Sequence, residues 1–276
     1  MQQKPPSVLS SAMRVFDLSL GQMLWSRRSV FLGILLGGPV FLAAAVRLIV
    51  EMSARGFRIN GATASGSAVF GLIMWLLYIR FIIPILGVFF GTSLIADEVD
   101  DKTITYLFTR PVPRRAVLLG KYFAYVACTV LLVLPSVILV FFLIVPMGGS
   151  TIASAFPSLV TDLGMLALGL IAYGAVFALV GTRLKRPLIV GLVFAFGWEP
   201  AVMLFPGYLK RLTVAYYLQA LVNHEMPQDS AASVLLTLFH EVPSVAMSLL
   251  GMAVIVAVSL WFAGRAVENR EYVLEQ

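Results

Sequence analysis

Six long apolar runs, separated by shorter polar segments, constrain this chain more than any other feature. A helix needs about 20 mostly apolar residues to cross a bilayer, and a chain in lipid must satisfy its own backbone hydrogen bonds. The runs lack the alternating polarity of transmembrane barrel strands. With 60% hydrophobic residues overall, the sequence predicts an all-α polytopic membrane protein. Its six transmembrane helices are expected at residues 29–50, 67–96, 116–145, 159–181, 188–206 and 242–264.

The distribution of lysine and arginine predicts how these spans are oriented, because cytoplasmic loops carry an excess of both residues. Most basic residues fall in the segments 1–28 and 97–115, in the connection between the fourth and fifth spans, and in the tail 265–276. The opposite side carries Arg55, Arg58, Lys210 and Arg211. We therefore predict a multi-pass transmembrane domain over residues 29–264 in the cell (inner) membrane, with both termini cytoplasmic.

Two amphipathic segments lie outside the predicted spans. In segment 1–28, one helical face collects large apolar residues, namely Leu9, Met13, Phe16, Leu20 and Leu24. This spacing predicts a helix lying in the membrane interface; the alternative is a helix that simply continues into the first span. The outer connection 207–241 holds two pieces separated by Pro227, of which the second is too short to span the bilayer, and we expect short helices there that lie on or dip into the outer leaflet. Tyr216 and Tyr217 suit such an interface.

The motifs of enzymes are missing from this sequence. His224 and His240 are each followed by glutamate, but neither completes an H-E-x-x-H zinc pattern. Gly120–Lys121 is no phosphate-binding loop, because Arg115 stands where that motif needs glycine and Tyr122 where it needs Ser or Thr. We expect no catalytic residue, metal or cofactor in this chain. If its work consumes ATP, another chain must bind the ATP and Mg²⁺.

Three ionisable residues lie inside the predicted spans: Arg80, Asp162 and Glu199. A charge at such depth is costly and seeks a partner or water. We hypothesise that Arg80 and Glu199 pair or face a shared polar cavity. The alternative is that each snorkels separately or contacts another subunit.

The segment 97–115 interrupts the apolar sequence with sorted charges. Its acids come first, at Asp97, Glu98, Asp100 and Asp101, and Arg110 follows. This order favours a short helix through its dipole, and Ile104, Leu107 and Phe108 then form an apolar patch. One interpretation is a solvated loop whose charges only set topology. The patch favours a docking surface, because a loop does not need one.

The sequence "DEVDDKTITYLFTRPVPRRAVLLGKYFA" at residues 97–124 resembles the signature of ABC-2 type transporter permeases, the membrane subunits of a class of ATP-binding-cassette (ABC) transporters. The matching positions are Glu98, Thr103, Leu107, Arg110, Pro111, Val112, Arg114, Leu119, Gly120 and Lys121. Lys102 and Pro113 depart from the usual pattern. The resemblance extends to the layout of an amino-terminal elbow helix, six spans, and short re-entrant helices between spans five and six.

The resemblance implies that segment 97–115 holds a coupling helix that docks into a separate ATPase subunit. The docking residues it implies are Asp97, Glu98, Asp100, Asp101, Thr103, Ile104, Leu107, Phe108 and Arg110. It also implies a homodimer of permeases working with two ATPase copies. Because the net charge of +6 is explained by cytoplasmic loops, we expect the lipid bilayer, and not nucleic acid, as the further partner. The alternative functions are an ATP-independent carrier or channel that uses Arg80 and Glu199 in its pathway, or a membrane enzyme.

Overall fold

The computed structural model describes residues 8–25, 27–52, 58–59, 62–63, 65–100, 113–147, 151–204, 208–222 and 243–269. Within them the chain is almost wholly helical, which agrees with the predicted all-α class. The exception is a two-residue antiparallel pair, Arg58–Ile59 with Ala62–Thr63, on the connection after the first long helix.

The helices are numbered here in chain order. The unbroken helices are α1 (Val8–Leu24), α2 (Arg27–Met52), α4 (Arg114–Ile144), α5 (Ile152–Arg183), α7 (Val214–Gln219) and α8 (Val245–Asn269). Helix α3 runs from Gly66 to Asp100 and α6 from Pro187 to Leu204, and both contain wide π-helical turns. A short 3₁₀ helix, Tyr208–Leu212, precedes α7.

Five helices in the described part of the chain are long and apolar enough to cross a membrane. They are Val30–Met52, Gly66–Ala96, Arg114–Ile144, Ile152–Arg183 and Val245–Asn269. Each overlaps a predicted span. The predicted fifth span, 188–206, corresponds to a shorter apolar helix, Pro187–Met203. Composition and length therefore support five spans directly, and the sixth falls just short of the usual crossing length.

Local sequence explains where several of these helices begin. The Ser65 hydroxyl accepts a hydrogen bond from the Ala68 N–H at 3.3 Å, which caps the start of α3. Pro187 occupies the first position of α6, where the missing N–H of proline costs no helical hydrogen bond. Pro113 directly precedes α4, and the Ala116 N–H donates to its carbonyl oxygen at 2.8 Å. Each boundary thus satisfies or removes a donor that a helix end leaves open.

The core of the bundle is formed by α3, α4 and α5, while α2 and α8 lie at its edge. Helix α2 packs on α4, and α8 packs on α5 and α4. Large apolar side chains of α2 and α8 remain exposed, as Phe41 and Leu250 illustrate. Such surfaces fit a lipid environment, in which apolar residues carry no penalty for exposure.

Two pairs of glycines spaced four residues apart, Gly33 with Gly37 and Gly87 with Gly91, lie in different surroundings in the structure. Gly87 and Gly91 lie against α5, because a Cβ at either position would meet Tyr173 or Phe177 at 3.0 Å or less. This is the close helix approach that small residues permit. A Cβ at Gly33 or Gly37 of α2 would meet nothing within 4 Å in the described structure. That glycine face of α2 is therefore open in the described structure.

Helix α1 is a separate helix that ends at Leu24. It packs on α4 through small residues, Ser11, Ala12 and Ser19, which are buried. Gly120 of α4 makes this approach close, since a Cβ there would meet the backbone of Ala12. The predicted apolar face, by contrast, is exposed at its start, where Leu9 is 84% exposed. The described structure thus contains α1 and α2 as two helices, and residue 26 between them lies outside the described residues.

Polar contacts join the helices at two levels. In the interior, the Tyr78 and Ser136 hydroxyls are hydrogen-bonded at 2.7 Å, and Ser136 also donates to the Leu36 carbonyl at 3.0 Å, which ties α3, α4 and α2 together. At one end of the bundle, Arg115 of α4 forms an ion pair of 2.5 Å with Glu268 of α8. Because this pair is half-exposed, its direct contribution to stability is small.

Candidate functional site

A cavity of about 340 Å³ lies between α3, α5, α6 and α7. Its walls are mostly apolar and aromatic. The polar side chains on its lining are Arg80 of α3, Tyr173 of α5, Glu199 of α6 and Gln219 of α7. A largely apolar cavity with a few convergent polar groups is the usual form of a ligand-binding or transport site.

Glu199 is the most buried charged side chain on this lining, at 2% exposed. The Tyr173 hydroxyl donates a hydrogen bond to one of its carboxylate oxygens. The backbone N–H of Val214 donates to the other oxygen at 3.1 Å. A single carboxylate therefore joins α5, α6 and the first turn of α7.

The start of α7 needs this carboxylate. Thr213 precedes the helix, but its side chain makes no cap there and donates instead to the Lys210 carbonyl at 2.8 Å. The first N–H groups of a helix lack hydrogen-bond acceptors and carry partial positive charge. An anionic acceptor supplies the missing hydrogen bond and a favourable electrostatic interaction. Glu199, fifteen residues earlier in the sequence, supplies the missing cap.

Prolines and wide helical turns surround the cavity. In α3, the Ile83 N–H bonds to the Tyr78 carbonyl, five residues back, just before Pro84. In α6, the Glu199 N–H likewise bonds five residues back, just before Pro200. Proline cannot donate to the carbonyl four residues before it, so the preceding turn relaxes to a wider one. These wide turns carry Arg80 and end at Glu199, which aims both residues at the cavity.

Arg80 lines the same cavity. Arg80 and Glu199 both belong to the described residues, and no ion pair of 4 Å or less joins them. Its guanidinium carbon lies 5.9 Å from the Trp75 ring centroid, a weak cation–π distance. The carboxylate that Arg80 was expected to meet is already held by Tyr173 and Val214. The geometry therefore corresponds to the shared-cavity form of the hypothesis, and not to direct pairing.

The remaining predicted site residues lie elsewhere. Asp162 is buried in α5, but it is not on the lining of this cavity. Asp97, Glu98 and Asp100 belong to the last turns of α3 by their backbone. The other predicted docking residues lie outside the described residues, namely Asp101, Thr103, Ile104, Leu107, Phe108 and Arg110. Among described residues no cluster of ligands could hold a metal ion.

Tyr173 and Gln219 are cavity residues that the sequence analysis missed. A tyrosine inside an apolar run is a usable signal, since a buried hydroxyl needs a hydrogen-bond partner. The identity of that partner was not readable, because Glu199 lies on another helix 26 positions away. Gln219 carries a buried Oε1 atom that has no hydrogen-bond partner in the described structure.

Exchanging the two charges tests whether Arg80 and Glu199 act as a pair. We expect the double variant Arg80→Glu/Glu199→Arg to be no more stable than Glu199→Arg alone. An arginine at position 199 faces the Tyr173 and Val214 donors, and a glutamate at position 80 does not relieve that conflict. The measurement is the thermal unfolding midpoint of each purified variant. Recovery of the original midpoint in the double variant would restore the pairing hypothesis.

The long apolar helices define a multi-pass helical membrane protein. A family model described as "ABC-2 family transporter protein" matches residues 40–264. Since the match covers most of the sequence, the chain belongs to the ABC-2 family of transporter proteins. Among curated proteins, no sequence matches it. The family identifies a membrane permease of an ABC transporter and implies association with an ABC ATPase and with membrane lipids.

Proposed function

We propose that this chain is the permease subunit of an ABC-2 transporter, acting as a homodimer with two copies of a separate ATPase. The observation that carries the proposal is the family match over residues 40–264. ATP and Mg²⁺ bind to the partner, since the sequence of this chain has no Walker A motif. The chain itself converts movement of the ATPase into a change of the membrane bundle, for export or for mechanical work.

The docking surface in this proposal is segment 97–115. At its amino-terminal end the segment includes the last turns of α3, the helix that carries Arg80 and forms one wall of the cavity. At its carboxyl end it includes the start of α4, which begins at Arg114. A displacement of the segment acts on both helices at once. This arrangement supports a direct mechanical route from a docked ATPase to the cavity.

Further contacts extend that route from α4 to its neighbours. The Arg115–Glu268 ion pair and a hydrogen bond of 3.3 Å from Arg114 to the Glu268 carbonyl connect the start of α4 to α8. Gly120 lets α1 lie directly on α4. These links favour movement of α1, α4 and α8 as a group. Allosteric transmission of this kind needs packed elements with two discrete arrangements.

The contact face for the second permease copy in this proposal lies on α2. A Cβ at Gly33, Gly37 or Gly38 would meet nothing within 4 Å in the described structure. Small residues on an open face let two helix backbones approach closely. We propose this face as part of the homodimer contact, on the strength of the family's implied dimer.

Co-expression with the ATPase that this permease requires tests the docking assignment. We expect Glu98→Arg and Leu107→Asp each to weaken recovery of the ATPase with the permease by about tenfold or more, because each change opposes a central contact. The matched control is Glu51→Arg, the same charge change at an exposed position near the far end of α2. Intact complexes with both docking variants would refute the assignment of the contact.

An ATP-independent carrier is the second candidate, and the cavity with Arg80 and Gln219 is the observation that favours it. In that case the purified chain alone, reconstituted into vesicles, transports its substrate without any ATPase. Transport that requires both the ATPase and ATP hydrolysis supports the permease and excludes the carrier.

A further inference from the structure

A second cavity, of about 610 Å³, lies between the carboxyl-terminal ends of α5 and α8. We call it the basic groove. Arg183 lines it from α5, and Trp261, Phe262, Arg265 and Asn269 line it from α8. It is distinct from the cavity around Glu199, with which it shares no lining residue.

Both arginines of the basic groove lie over aromatic rings. The guanidinium carbon of Arg183 is 5.6 Å from the Phe262 ring centroid, and that of Arg265 is 5.5 Å from the Trp261 centroid. A guanidinium at this distance from a ring is attracted to the face of the ring. Two cations held beside rings therefore line one open space.

In the described structure neither arginine has an acidic partner. Glu268 is the nearby acid on α8, three positions from Arg265, but its carboxylate is paired with Arg115 at 2.5 Å. A second ion pair, Arg47 with Glu51, lies on α2, away from the basic groove. The two arginines of the basic groove thus give it a local positive charge, which favours an anionic ligand.

Apolar surface adjoins these charges. Trp261 is 52% exposed and Phe262 39% exposed, at the end of a helix that is apolar enough to cross the membrane. Tryptophan is enriched where hydrocarbon meets headgroups, and arginine reaches outward from the same level. A freely soluble anion makes no apolar contact with the exposed rings, whereas the acyl chains of a lipid cover them.

We propose that the basic groove binds the phosphate headgroup of an anionic phospholipid. The two guanidinium groups donate to the phosphate oxygens in the forked geometry that arginine favours. Asn269 lies at the same end of the groove and adds a neutral donor. The acyl chains follow Trp261 and Phe262 toward the hydrocarbon. Basic pockets between transmembrane helices are known to hold lipid headgroups in this way.

The test compares lipid binding to the full-length chain, purified in detergent, with and without the two arginines. Dioleoylphosphatidylglycerol is the anionic probe, dioleoylphosphatidylcholine the zwitterionic one, and native mass spectrometry measures the retained lipid. We expect the double variant Arg183→Gln/Arg265→Gln to bind phosphatidylglycerol roughly tenfold to thirtyfold more weakly, at about 1 kcal/mol for each arginine near the membrane surface. Phosphatidylcholine binding is expected to be weaker from the start and to change little.

The matched control is Lys185→Gln/Arg186→Gln, which removes the same charge from two exposed residues outside the basic groove. It is expected to leave phosphatidylglycerol binding unchanged. Equal loss in the control, or none in the groove variant, overturns the proposal. Displacement of the lipid by equimolar inorganic phosphate also overturns it, because the ligand would then be a soluble anion.

A second measurement uses the unsubstituted chain, so it does not depend on folding of a variant. A phosphatidylglycerol analogue with a photoactivatable group on its headgroup is cross-linked to the protein in vesicles, and the products are mapped by peptide mass spectrometry. We expect cross-links at residues 182–183 and 261–269. Cross-links confined to other parts of the chain would contradict the site.

Discussion

Replacement of Glu199 by alanine is expected to destabilise the protein by about 3–5 kcal/mol, because the change leaves two buried donors, the Tyr173 hydroxyl and the Val214 N–H, without their acceptor. It also removes the cap of α7. The measurement is equilibrium unfolding of the purified variant in mixed detergent and sodium dodecyl sulfate. Tyr173→Phe removes one donor and leaves the cap, so its expected cost is smaller, about 1–2 kcal/mol.

The control for this effect is Glu51→Ala, which also removes a glutamate side chain and breaks a contact. Glu51 pairs with Arg47 at 2.9 Å, but both side chains are exposed, so the expected cost is below about 1 kcal/mol. In the double variant Tyr173→Phe/Glu199→Ala the two costs are expected to be non-additive by about 1–3 kcal/mol. A cost for Glu199→Ala no greater than that for Glu51→Ala would show that the carboxylate does not hold these helices together.

Replacement of Gly181 by alanine is expected to cost about 1–3 kcal/mol, the usual penalty for inserting a carbon into packed structure. A Cβ at this position of α5 would lie 2.9 Å from the carbonyl carbon and 3.0 Å from the Cα of Thr92 on α3. Because these are backbone atoms, the clash is relieved only by moving a helix. The measurement is again equilibrium unfolding in mixed detergent.

Gly164→Ala is the matched control, on the same helix. A Cβ at Gly164 meets nothing within 4 Å in the described structure. Alanine there is expected to be neutral or to stabilise the helix by up to about 1 kcal/mol. Equal unfolding free energies for the two alanine variants would mean that α5 and α3 are not packed as closely as the structure shows.

The positions of the long helices were predictable because a helix that spans a bilayer is recognisable from the length of its apolar run alone. The starts and ends of α2 to α5 and of α8 lie within a few residues of their predicted spans, except that α5 begins seven residues earlier, at Ile152. Ser154 and Ser158 in that added part donate to backbone carbonyls at 2.9 and 2.6 Å. Helical structure there does not require an apolar run, and a hydropathy argument misses it.

Contacts between helices were much less predictable than the helices themselves. Arg80 and Glu199 were identified in the sequence because a charged residue in an apolar run is energetically costly. Their opposite charges predicted a contact between them, but the described structure does not contain a direct ion pair of these two residues. Glu199 meets a tyrosine and a backbone N–H instead, and neither carries a charge that sequence could flag. Tyr216 and Tyr217 were assigned to an aromatic belt, yet both are only 8% exposed, since α7 packs on α5 and α8.

Helix α1 is a second case in which the sequence predicts a helix but not its contacts. Its large apolar residues mark an amphipathic helix, but the face in contact with α4 consists of small residues such as Ser11 and Ala12. In lipid, close packing favours small side chains at helix contacts, whereas hydropathy marks the face that meets the acyl chains. Hydropathy therefore predicts the helix, but it does not predict the contact that the helix makes with α4.

The capping of α7 by Glu199 gives the cavity two unlike walls. On one side, hydrogen bonds to a single buried carboxylate join α5, α6 and α7. On the other side stands α3, which packs closely on α5 through Gly87 and Gly91, but among described residues no hydrogen bond joins it to α7. One wall of the cavity is thus made of three helices that are fastened to one another through Glu199, and the other wall is α3, whose far end lies in segment 97–115.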